Sequence, residues 1–396
     1  MNAPEKPHAD WRQATRLVRG GTQRSPHGET SEALYLTSGY VYESAAEAEA
    51  RFKGERDGFM YSRYGNPTVA MLEERLALLE GAEDCFTTAS GMAAVYAALI
   101  CQLKAGDRVV ASKALFGSCH HILTQILPRF GVQVTLVHGT RLDQWEAALR
   151  PGAACVFLET PANPTLELID IAAVAALSRQ AGASLIVDNV FATPLQQHPL
   201  QLGADVVVYS MTKHIDGQGR CLGGAVLGSK SFIREKLQTF MRHTGGCLSP
   251  FNAWVMLKGL ETLSLRVERM SANAERVAEA LEREPRVQRV LYPGLASHPQ
   301  HGLARRQMQG SGSVVAFELA DQPAAHRFLD ALQLFDISNN LGDAKSLATH
   351  PTTTTHRAMG PEGRREIGVT DGLVRLSVGL EDALDLLDDI RQALAA

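Results

Sequence analysis

The hydrophobic positions in the middle of the chain fall into short apolar runs that alternate with amphipathic stretches. Seven such runs recur, among them RVVAS, SLIVDN and DVVVYS, and helical patterns such as IDIAAVAALSRQAG separate most of them. This alternation is typical of a mostly parallel sheet whose two faces are both covered by helices. The last two runs are too close for a helical crossover, so we expect those two strands to pair antiparallel.

The composition and the hydrophobic periodicity of the sequence change on either side of this central region. Residues 1–68 are rich in Gly, Pro, Ser and Tyr and weakly periodic, which predicts an arm with little core of its own. Next, TVAMLEERLALLEGAE predicts a helix that ends at Gly81. Residues 249–284 are helical in pattern almost throughout, and Pro285 ends that segment.

The remainder of the chain reads as a smaller α+β unit. Its strand and helix patterns include GSVVAFEL and LVRLSVGL, and Leu384, Leu387 and Leu394 lie at helical spacing in the last helix. We therefore predict an arm over residues 1–68, a large α/β domain over 69–262 and a C-terminal α+β domain over 263–396.

Composition and charge exclude several classes of protein. The 396 residues are 45% hydrophobic and 21% charged, with a net charge of −4 and no basic stripe. We therefore expect a globular protein with no nucleic-acid partner, and no apolar run is long enough for a membrane span. The six cysteines form no C-x-x-C motif, and the N-terminal segment lacks a signal-peptide core. Both features favour a cytoplasmic location.

Polar residues follow four of the predicted strands at the point where each strand ends. They are the Ser90-Gly91-Met92 turn, Asn163, Asp188 and the segment SMTK at 210–213. Since ligands bind at the carboxyl ends of such strands, these groups should meet at one rim. Taken singly, each is explained by a helix cap, a turn or a solvated side chain.

Taken together, these groups meet the needs of pyridoxal phosphate (PLP). That cofactor requires a lysine for covalent attachment, an acid beside its ring nitrogen and a cradle for its phosphate. Lys213 supplies the amine and Asp188 the acid. The helix start at Gly91 offers backbone N–H groups to a phosphate, and the hydroxyls of Ser210 and Thr212 add donors.

Competing motifs fail on their spacing. The glycines of GQGRCLGG follow Lys213 and precede a strand, whereas a dinucleotide fingerprint follows a strand and opens a helix. A P-loop spacing ends at Ser229, where lysine is required. His350 and His356 bracket HPTTTTH without an acidic or cysteine partner nearby, so no metal site is expected.

Seven segments of the chain carry a family resemblance. They are YSRYGNPT (61–68), SGMAAVYAAL (90–99), ETPANPT (159–165), VDN (187–189), SMTKH (210–214), LGDAKSLATHP (341–351) and VRLSVGLE (374–381). In these segments, which span nearly the whole chain in order, it resembles the Cys/Met-metabolism family of PLP-dependent enzymes. That family includes cystathionine γ-synthase, cystathionine lyases, methionine γ-lyase and the homoserine-ester sulfhydrylases.

The resemblance implies a fold and an assembly. The fold is the aspartate-aminotransferase type, also called PLP-dependent transferase fold type I, with a PLP-binding large domain and a smaller C-terminal domain. The usual assembly is a homotetramer built from two dimers with shared active sites. An arm that contributes to a neighbouring subunit would explain why residues 1–68 have so little core of their own.

The resemblance also implies a role for each candidate residue. Lys213 matches the lysine that holds the cofactor and moves protons, and Asp188 matches the acid beside the ring nitrogen. Arg375 matches the guanidinium that holds the substrate α-carboxylate, a task suited to a bidentate donor. The remaining matches are Gly91, Met92, Ser210 and Thr212 in the phosphate cup, Tyr61 and Arg63 at the phosphate of the neighbouring subunit, and Asn163 at the cofactor's phenolic oxygen.

Departures from the commonest family pattern suggest the substrate. Phe116 stands where many relatives stack a tyrosine on the cofactor ring, so stacking is kept but the phenol proton is lost. An ester expels a carboxylate, whose conjugate acid has a pKa of roughly 4. Such a group leaves without an acid, whereas a departing thiolate benefits from one. Asn340, within an NN pair that replaces a frequent serine, is a second candidate for contact with substrate.

These features most resemble the enzymes that act on O-succinylhomoserine and sulfide. We expect γ-replacement to homocysteine and succinate, as in methionine biosynthesis. The alternatives are cysteine as the nucleophile, a γ-lyase reaction, or a non-catalytic PLP-binding regulatory protein. Arg220 lies seven residues after Lys213 and is the candidate for the distal carboxylate of the ester. Its alternative role is structural, bound to loop carbonyls or to a neighbouring acid.

Overall fold

The computed structural model describes residues 11–396, so the first ten residues of the predicted arm lie outside the described part. Two sheets and the helices around them make up this part of the chain. The strands are β1 (Asp84–Thr88), β2 (Arg108–Ser112), β3 (Gln133–Val137), β4 (Cys155–Glu159), β5 (Ser184–Asp188), β6 (Val206–Ser210), β7 (Gly224–Gly228), β8 (Arg289–Leu291), β9 (Val314–Glu318), β10 (Asp336–Ile337), β11 (Leu347–Thr349) and β12 (Leu373–Ser377). The helices are α1 (Gln13–Arg19), α2 (Ala45–Lys53), α3 (Pro67–Glu80), α4 (Gly91–Ile100), α5 (Gly117–His121), α6 (Leu142–Leu149), α7 (Ile171–Gln180), α8 (Thr193–Gln196), α9 (Gln238–Thr244), α10 (Pro250–Glu261), α11 (Leu263–Glu282), α12 (His301–Gln307), α13 (Gln322–Ala331), α14 (Gly360–Glu366) and α15 (Ala383–Ala395).

The large sheet contains all seven strands predicted from the apolar runs. Its order is β1-β7-β6-β5-β4-β2-β3. Strands β2 to β6 are parallel, whereas β7 runs antiparallel to both β1 and β6. The antiparallel pairing of β6 with β7 was predicted from their short connection and is confirmed. The carboxyl ends of β4, β5 and β6 therefore lie side by side at one edge.

Both faces of this sheet are buried, as the unbroken apolar runs predicted. Phe157 and Ile186 pack into a core with α4 on one face. Their neighbours along the strands, Val156 and Leu185, pack with α6 and α7 on the other face. This alternation follows from the period of two residues along a strand. It fixes which strand-end side chains reach the edge where polar groups gather.

The arm is partly anchored to its own subunit. Leu17 on α1 is fully buried in the core that α3 and α10 share. Arg75 on α3, also without exposed surface, forms an ion pair with Glu32 and donates to the Gly20 carbonyl oxygen at 2.7 Å. Lys258 forms a second ion pair with Glu32. These contacts hold the chain as far as Glu32 on the large domain.

Beyond Glu32 the arm exposes apolar side chains. Leu36 is 71% exposed, Val41 94% and Phe52 67%.

Asn66 caps α3 by accepting hydrogen bonds from the amides at the start of that helix, and Gly81 ends it with a φ of 77°. The helix predicted from TVAMLEERLALLEGAE is therefore confirmed.

The C-terminal part forms the second sheet, in the order β10-β11-β12-β9-β8. Helices α13 and α15 and the second half of α11 pack against it. The predicted last helix is α15, in which Leu387 and Leu394 are buried whereas Leu384 is 58% exposed. At about 100° per residue, Leu384 lies about 60° around the helix from Leu387 and misses the buried face.

Helix α11 contributes to both cores. Leu263 and Val267 pack in the core with α3 and α10, and Val277 and Leu281 pack in the core of the second sheet. The division of the chain at residues 262 and 263 stays a prediction. Across residues 11–396, none of the helices has the length and apolar character needed to cross a membrane.

Candidate active site

A cavity of about 330 Å³ lies where the carboxyl edge of the large sheet faces the second sheet. Most of the residues that the sequence singled out contribute to its wall. Those that line it are Gly91, Met92, Phe116, Asn163, Asp188, Ser210, Thr212, Lys213 and Arg375. The convergence expected at the strand ends is therefore present in a single chain.

Lys213 follows β6 and lies at the centre of the cavity wall. Its Nζ atom donates a hydrogen bond to Oδ1 of Asn340 at 2.6 Å, which adds Asn340 to the site. Burial and the nearby charge of Arg375 lower the pKa of the Lys213 amine to about 8. A lysine with a pKa this close to neutrality supplies unprotonated amine for proton transfer.

The start of α4 has the features that a phosphate cup requires. Ser90 caps this ten-residue helix by accepting a hydrogen bond from the Ala93 amide. A Cβ atom at Gly91 would lie 2.7 Å from Oγ of Ser210, so a larger residue would fill the cup. The first N–H groups of a helix lack partners within it and point outward, where an anion can accept from them.

Thr212 lies beside this helix start with its hydroxyl tied to the glycine-rich loop. Oγ1 of Thr212 accepts a hydrogen bond from the Gly223 amide at 3.2 Å. Gly224 packs still closer, because a Cβ atom there would lie 2.2 Å from the Ser90 carbonyl oxygen. These glycines let β7 approach the helix start that would hold the phosphate. The residues present therefore fit a bound phosphate group.

Two carboxyl groups lie next to each other on adjacent strands. Glu159 and Asp188 end β4 and β5, and the strand register pairs them directly. Both are buried, and burial raises the pKa of each carboxyl, with the charge of Asp188 adding to the effect on Glu159. A cation beside Asp188, such as a protonated pyridine nitrogen, would stabilise its ionised form. The acid that PLP requires is therefore in a suitable environment.

Glu159 was not among the residues predicted from the sequence. Its Oε2 accepts a hydrogen bond from the Phe116 amide at 2.7 Å, and its Oε1 accepts one from the Asn163 amide at 2.8 Å. One side chain thus holds two of the predicted cofactor-binding residues. Glu159 ends an apolar strand just as Asp188 does, so the same sequence signal could have identified it.

Arg375 is a buried cation whose partners are mostly neutral. It is 1% exposed, and its guanidinium donates to Oδ1 of Asn163 at 3.0 Å and to the Asn339 and Asn340 carbonyl oxygens. Its buried Nε has no hydrogen-bond partner, and no carboxylate in residues 11–396 forms an ion pair with it. A buried guanidinium without an anion favours binding of a carboxylate.

Thr355 is a further lining residue that the sequence analysis missed. Its hydroxyl lies 2.8 Å from Nδ1 of the fully buried His356, whose Nε2 lies 3.2 Å from the Asn163 carbonyl oxygen. In the sequence, the segment around Thr355 was notable only for its two separated histidines, which did not point to a cavity residue. In the described residues no three His, Cys, Asp or Glu side chains gather as metal ligands.

Arg220 does not line the cavity. Its Nε donates to Oδ1 of Asp216 at 2.9 Å, and another guanidinium nitrogen donates to the Asp216 carbonyl oxygen at 2.9 Å. Asp216 is fully buried and has Arg220 as its counterion. These contacts correspond to the structural alternative for Arg220, and nothing in its surroundings supports a role at the distal carboxylate.

Tyr61 and Arg63 also lie away from this cavity. Arg63 lines a second cavity of about 240 Å³, together with Tyr64 and Arg242. Its guanidinium carbon lies 5.3 Å from the Tyr61 ring centre and 4.9 Å from that of Tyr64. The contact of Tyr61 and Arg63 with a neighbouring subunit's phosphate therefore stays a prediction.

Comparison with known proteins places these features in a family. Residues 14–395 match the model of the Cys/Met metabolism PLP-dependent enzymes. The chain is 60% identical to an O-succinylhomoserine sulfhydrylase of Mycobacterium tuberculosis, over 97% of this chain and 96% of that protein. It is 44% identical to an L-methionine gamma-lyase of Pseudomonas putida, over 97% of each chain.

A solved structure gives the same result for the fold. Cystathionine gamma synthase from Xanthomonas oryzae, in complex with aminoacrylate and cysteine, superimposes with a TM-score of 0.93 at 35% identity. The match covers 97% of this chain and 98% of that one. The fold is therefore the predicted PLP-dependent transferase fold type I, and PLP is the cofactor. The chain belongs to the Cys/Met metabolism family of PLP-dependent enzymes.

Proposed function

We propose that this chain catalyses γ-replacement on O-succinylhomoserine, in which sulfide displaces succinate to give homocysteine. The observation that carries the proposal is a cavity that combines the Lys213 amine, Asp188 and the unpaired Arg375 with a phenylalanine at position 116. The name of the Mycobacterium tuberculosis relative, at 60% identity, supports the same substrate.

Different residues of the cavity would bind different parts of the cofactor. Lys213 would attach PLP, the α4 start at Gly91 with Ser210 and Thr212 would hold its phosphate, and Asp188 would face its ring nitrogen. PLP supplies an electron sink that stabilises negative charge developing beside its attachment point. Oδ1 of the Asn163 side chain accepts a hydrogen bond from Arg375. Its Nδ2 would then donate to the phenolic oxygen of the cofactor.

Arg375 and Asn340 would position the substrate for proton transfer by Lys213. The guanidinium of Arg375 binds the α-carboxylate, which is the anion its surroundings lack. The Lys213 amine then takes the proton from Cα and moves a proton at Cβ, helped by a pKa of about 8. Asn340 orients the amine through its 2.6 Å hydrogen bond.

Phe116 favours an ester over a thioether as the substrate. It lines the cavity but carries no proton to donate to a leaving group. Succinate departs as a stable anion, because the pKa of its conjugate acid is roughly 4. A thiolate is a poorer leaving group without an acid, so the γ-lyase reaction on methionine should be slow in this site.

The test is a set of three reactions with purified, PLP-loaded protein and O-succinylhomoserine. With sulfide we expect equal amounts of homocysteine and succinate. If cystathionine forms from cysteine faster than homocysteine forms from sulfide, cysteine and not sulfide is the sulfur donor. Release of a 2-oxo acid without any thiol, at a rate equal to that with sulfide, would indicate a γ-lyase. Absence of succinate in all three reactions would overturn the proposal.

We further propose a homotetramer assembled as a dimer of dimers in the cytoplasm, with active sites shared between subunits. The support is the arm, which exposes Leu36, Val41 and Phe52 beyond its anchored part. Coverage of these side chains by a second chain would remove their apolar surface from water. Arg63 does not line the active-site cavity of its own subunit, which agrees with such sharing.

Mixed subunits should reveal the shared site. An Arg63→Ala chain and a Lys213→Ala chain, each with little activity, should regain activity when subunits exchange. A mixed dimer contains one site with an intact Lys213 and an intact partner Arg63, so up to half of the wild-type activity per mixed dimer is expected. The measurement is homocysteine formation before and after exchange. No recovery, with exchange verified by native mass spectrometry, would show that Arg63 acts within its own subunit.

Replacing Glu159 should weaken the cofactor site. Glu159→Gln leaves one of the Phe116 and Asn163 amides facing an NH₂ group in place of an acceptor oxygen. A buried amide without its acceptor costs about 1–3 kcal/mol, which predicts a PLP dissociation constant roughly 10 to 100 times higher. Fluorescence titration of the apoprotein with PLP measures it, with exposed Glu279→Gln as the control. An unchanged dissociation constant would mean that Glu159 does not position these residues.

A further inference from the structure

The proposed substrate carries two carboxylates, and the cavity offers a cation for only one of them. The lysine and arginine residues that line it are Lys213 and Arg375. Lys213 would hold the cofactor, and Arg375 would bind the α-carboxylate. Arg220 is occupied by Asp216. A second carboxylate placed in this cavity would therefore meet no further cation from this chain.

The second cavity contains an uncompensated pair of arginines. The guanidinium carbons of Arg63 and Arg242 lie 4.9 and 5.3 Å from the ring centre of Tyr64. Arg63 also donates a hydrogen bond to the Arg242 carbonyl oxygen, so the two residues form one cluster. No carboxylate in residues 11–396 forms an ion pair with either guanidinium.

The acidic groups close to this cavity are already engaged. Asp84 forms an ion pair with Arg234, the third arginine of the cavity wall. Glu73 accepts hydrogen bonds from the backbone amide and the hydroxyl of Thr87, and burial raises its pKa to about 7. These acidic groups therefore form no ion pair with Arg63 or Arg242.

Arg242 has a further unsatisfied group. Its Nε is buried and has no hydrogen-bond partner among the described residues. Two guanidinium groups on one aromatic ring repel each other, and a buried donor without an acceptor is costly. An anion that reaches this cluster would relieve both costs.

We propose that Arg242 binds the distal carboxylate of the succinyl ester in the active site of the neighbouring subunit, which it enters together with Arg63. The inference rests on the proposed function and on the shared site. Arg63 would bind the cofactor phosphate, and Arg242, on the same Tyr64 ring, would bind the second anion of the complex. Arg242 would then determine specificity, since the acetyl ester has no carboxylate to bind.

The first experiment compares two esters. We would measure kcat/KM for O-succinylhomoserine and O-acetylhomoserine, with sulfide, in wild type, Arg242→Ala, Arg242→Lys and Arg220→Ala. Loss of one charge-assisted contact predicts a roughly 10- to 100-fold lower value for the succinyl ester in Arg242→Ala. The acetyl ester should change by less than about threefold, and Arg242→Lys should restore part of the preference.

Three outcomes are informative. Equal losses on both esters in Arg242→Ala would overturn the proposal, because they would indicate a structural role or an effect on Arg63. So would a selective loss with Arg220→Ala alone. If wild type fails to use the succinyl ester, the proposed function itself is wrong, and that result is separate from any effect of Arg242.

The second experiment tests whether Arg242 acts across the interface. Arg242→Ala chains are mixed with inactive Lys213→Ala chains and allowed to exchange. If Arg242 serves the neighbouring site, each mixed dimer contains one site with an intact Lys213 and an intact partner Arg242. Succinyl-ester activity should then rise above the sum of the two separate preparations. If exchange is verified and no rise occurs, Arg242 does not act in the neighbouring site and the proposal fails.

Discussion

Lys213→Ala is expected to lower turnover of O-succinylhomoserine by about a thousandfold or more and to abolish covalent attachment of PLP. The variant removes both the proposed attachment point and the amine that is proposed to move protons at Cα and Cβ. General acid–base catalysis alone contributes about 10²- to 10⁴-fold. Homocysteine formation measures the first effect. Intact-protein mass spectrometry after borohydride reduction measures the second.

A matched control separates this role from a general effect of losing a lysine. Lys104 is exposed and does not line the cavity, so Lys104→Ala should keep wild-type turnover and attachment. Partial recovery of the Lys213→Ala variant by an added small amine would support the proton-transfer role. Near-normal turnover without added amine would contradict the assignment of Lys213.

Asp188→Asn is expected to have the second largest effect. The change keeps the shape of the side chain but removes the negative charge that is proposed to lie beside the cofactor ring, so the ring nitrogen would lose its counterion. Removing one electrostatic stabiliser of this kind costs about 10²- to 10³-fold in turnover. We expect a decrease in kcat of that size, with the pH dependence of the bound cofactor's absorbance shifted relative to wild type.

The same variant should stabilise the apoprotein at high pH. Because burial raises the pKa of Asp188 in the folded state, its carboxyl binds protons more tightly there than in the unfolded chain. Its contribution is then unfavourable once pH exceeds the ordinary carboxyl pKa, and it vanishes below that value. Apo Asp188→Asn should therefore unfold at higher temperature than apo wild type near pH 8, and at the same temperature near pH 3. A lower unfolding temperature at pH 8 would contradict this account.

The sheet and its site edge could be predicted because local pattern determines them. Seven apolar runs gave seven strands, and residues at strand ends such as Asp188 and Lys213 met at one cavity because parallel strands share an edge. The family resemblance added Arg375, which lies on a strand of the other sheet and had no distinguishing local pattern.

The remaining features depend on contacts between distant parts of the chain. Asn340 lies 127 positions from Lys213, so their hydrogen bond left no trace in the local sequence. Arg220 lay close to Lys213 in sequence, but its ion pair with Asp216 depends on how the loop folds. The Arg63–Arg242 cluster joins residues 179 positions apart. Proximity along the chain was therefore a poor guide for the charged residues.

The buried ion pair between Arg75 and Glu32 bears on how a new subunit matures. Within one subunit Glu32 pairs with Arg75 and Lys258, and Leu17 is fully buried, so the chain up to Glu32 should fold onto its own domain without help. The following segment, with Leu36, Val41 and Phe52, would become buried only on contact with another subunit. If the active sites are shared as proposed, a newly synthesised chain would complete its interior alone and would acquire a working site only on meeting a second copy. Dilution would switch the enzyme off while leaving each chain folded.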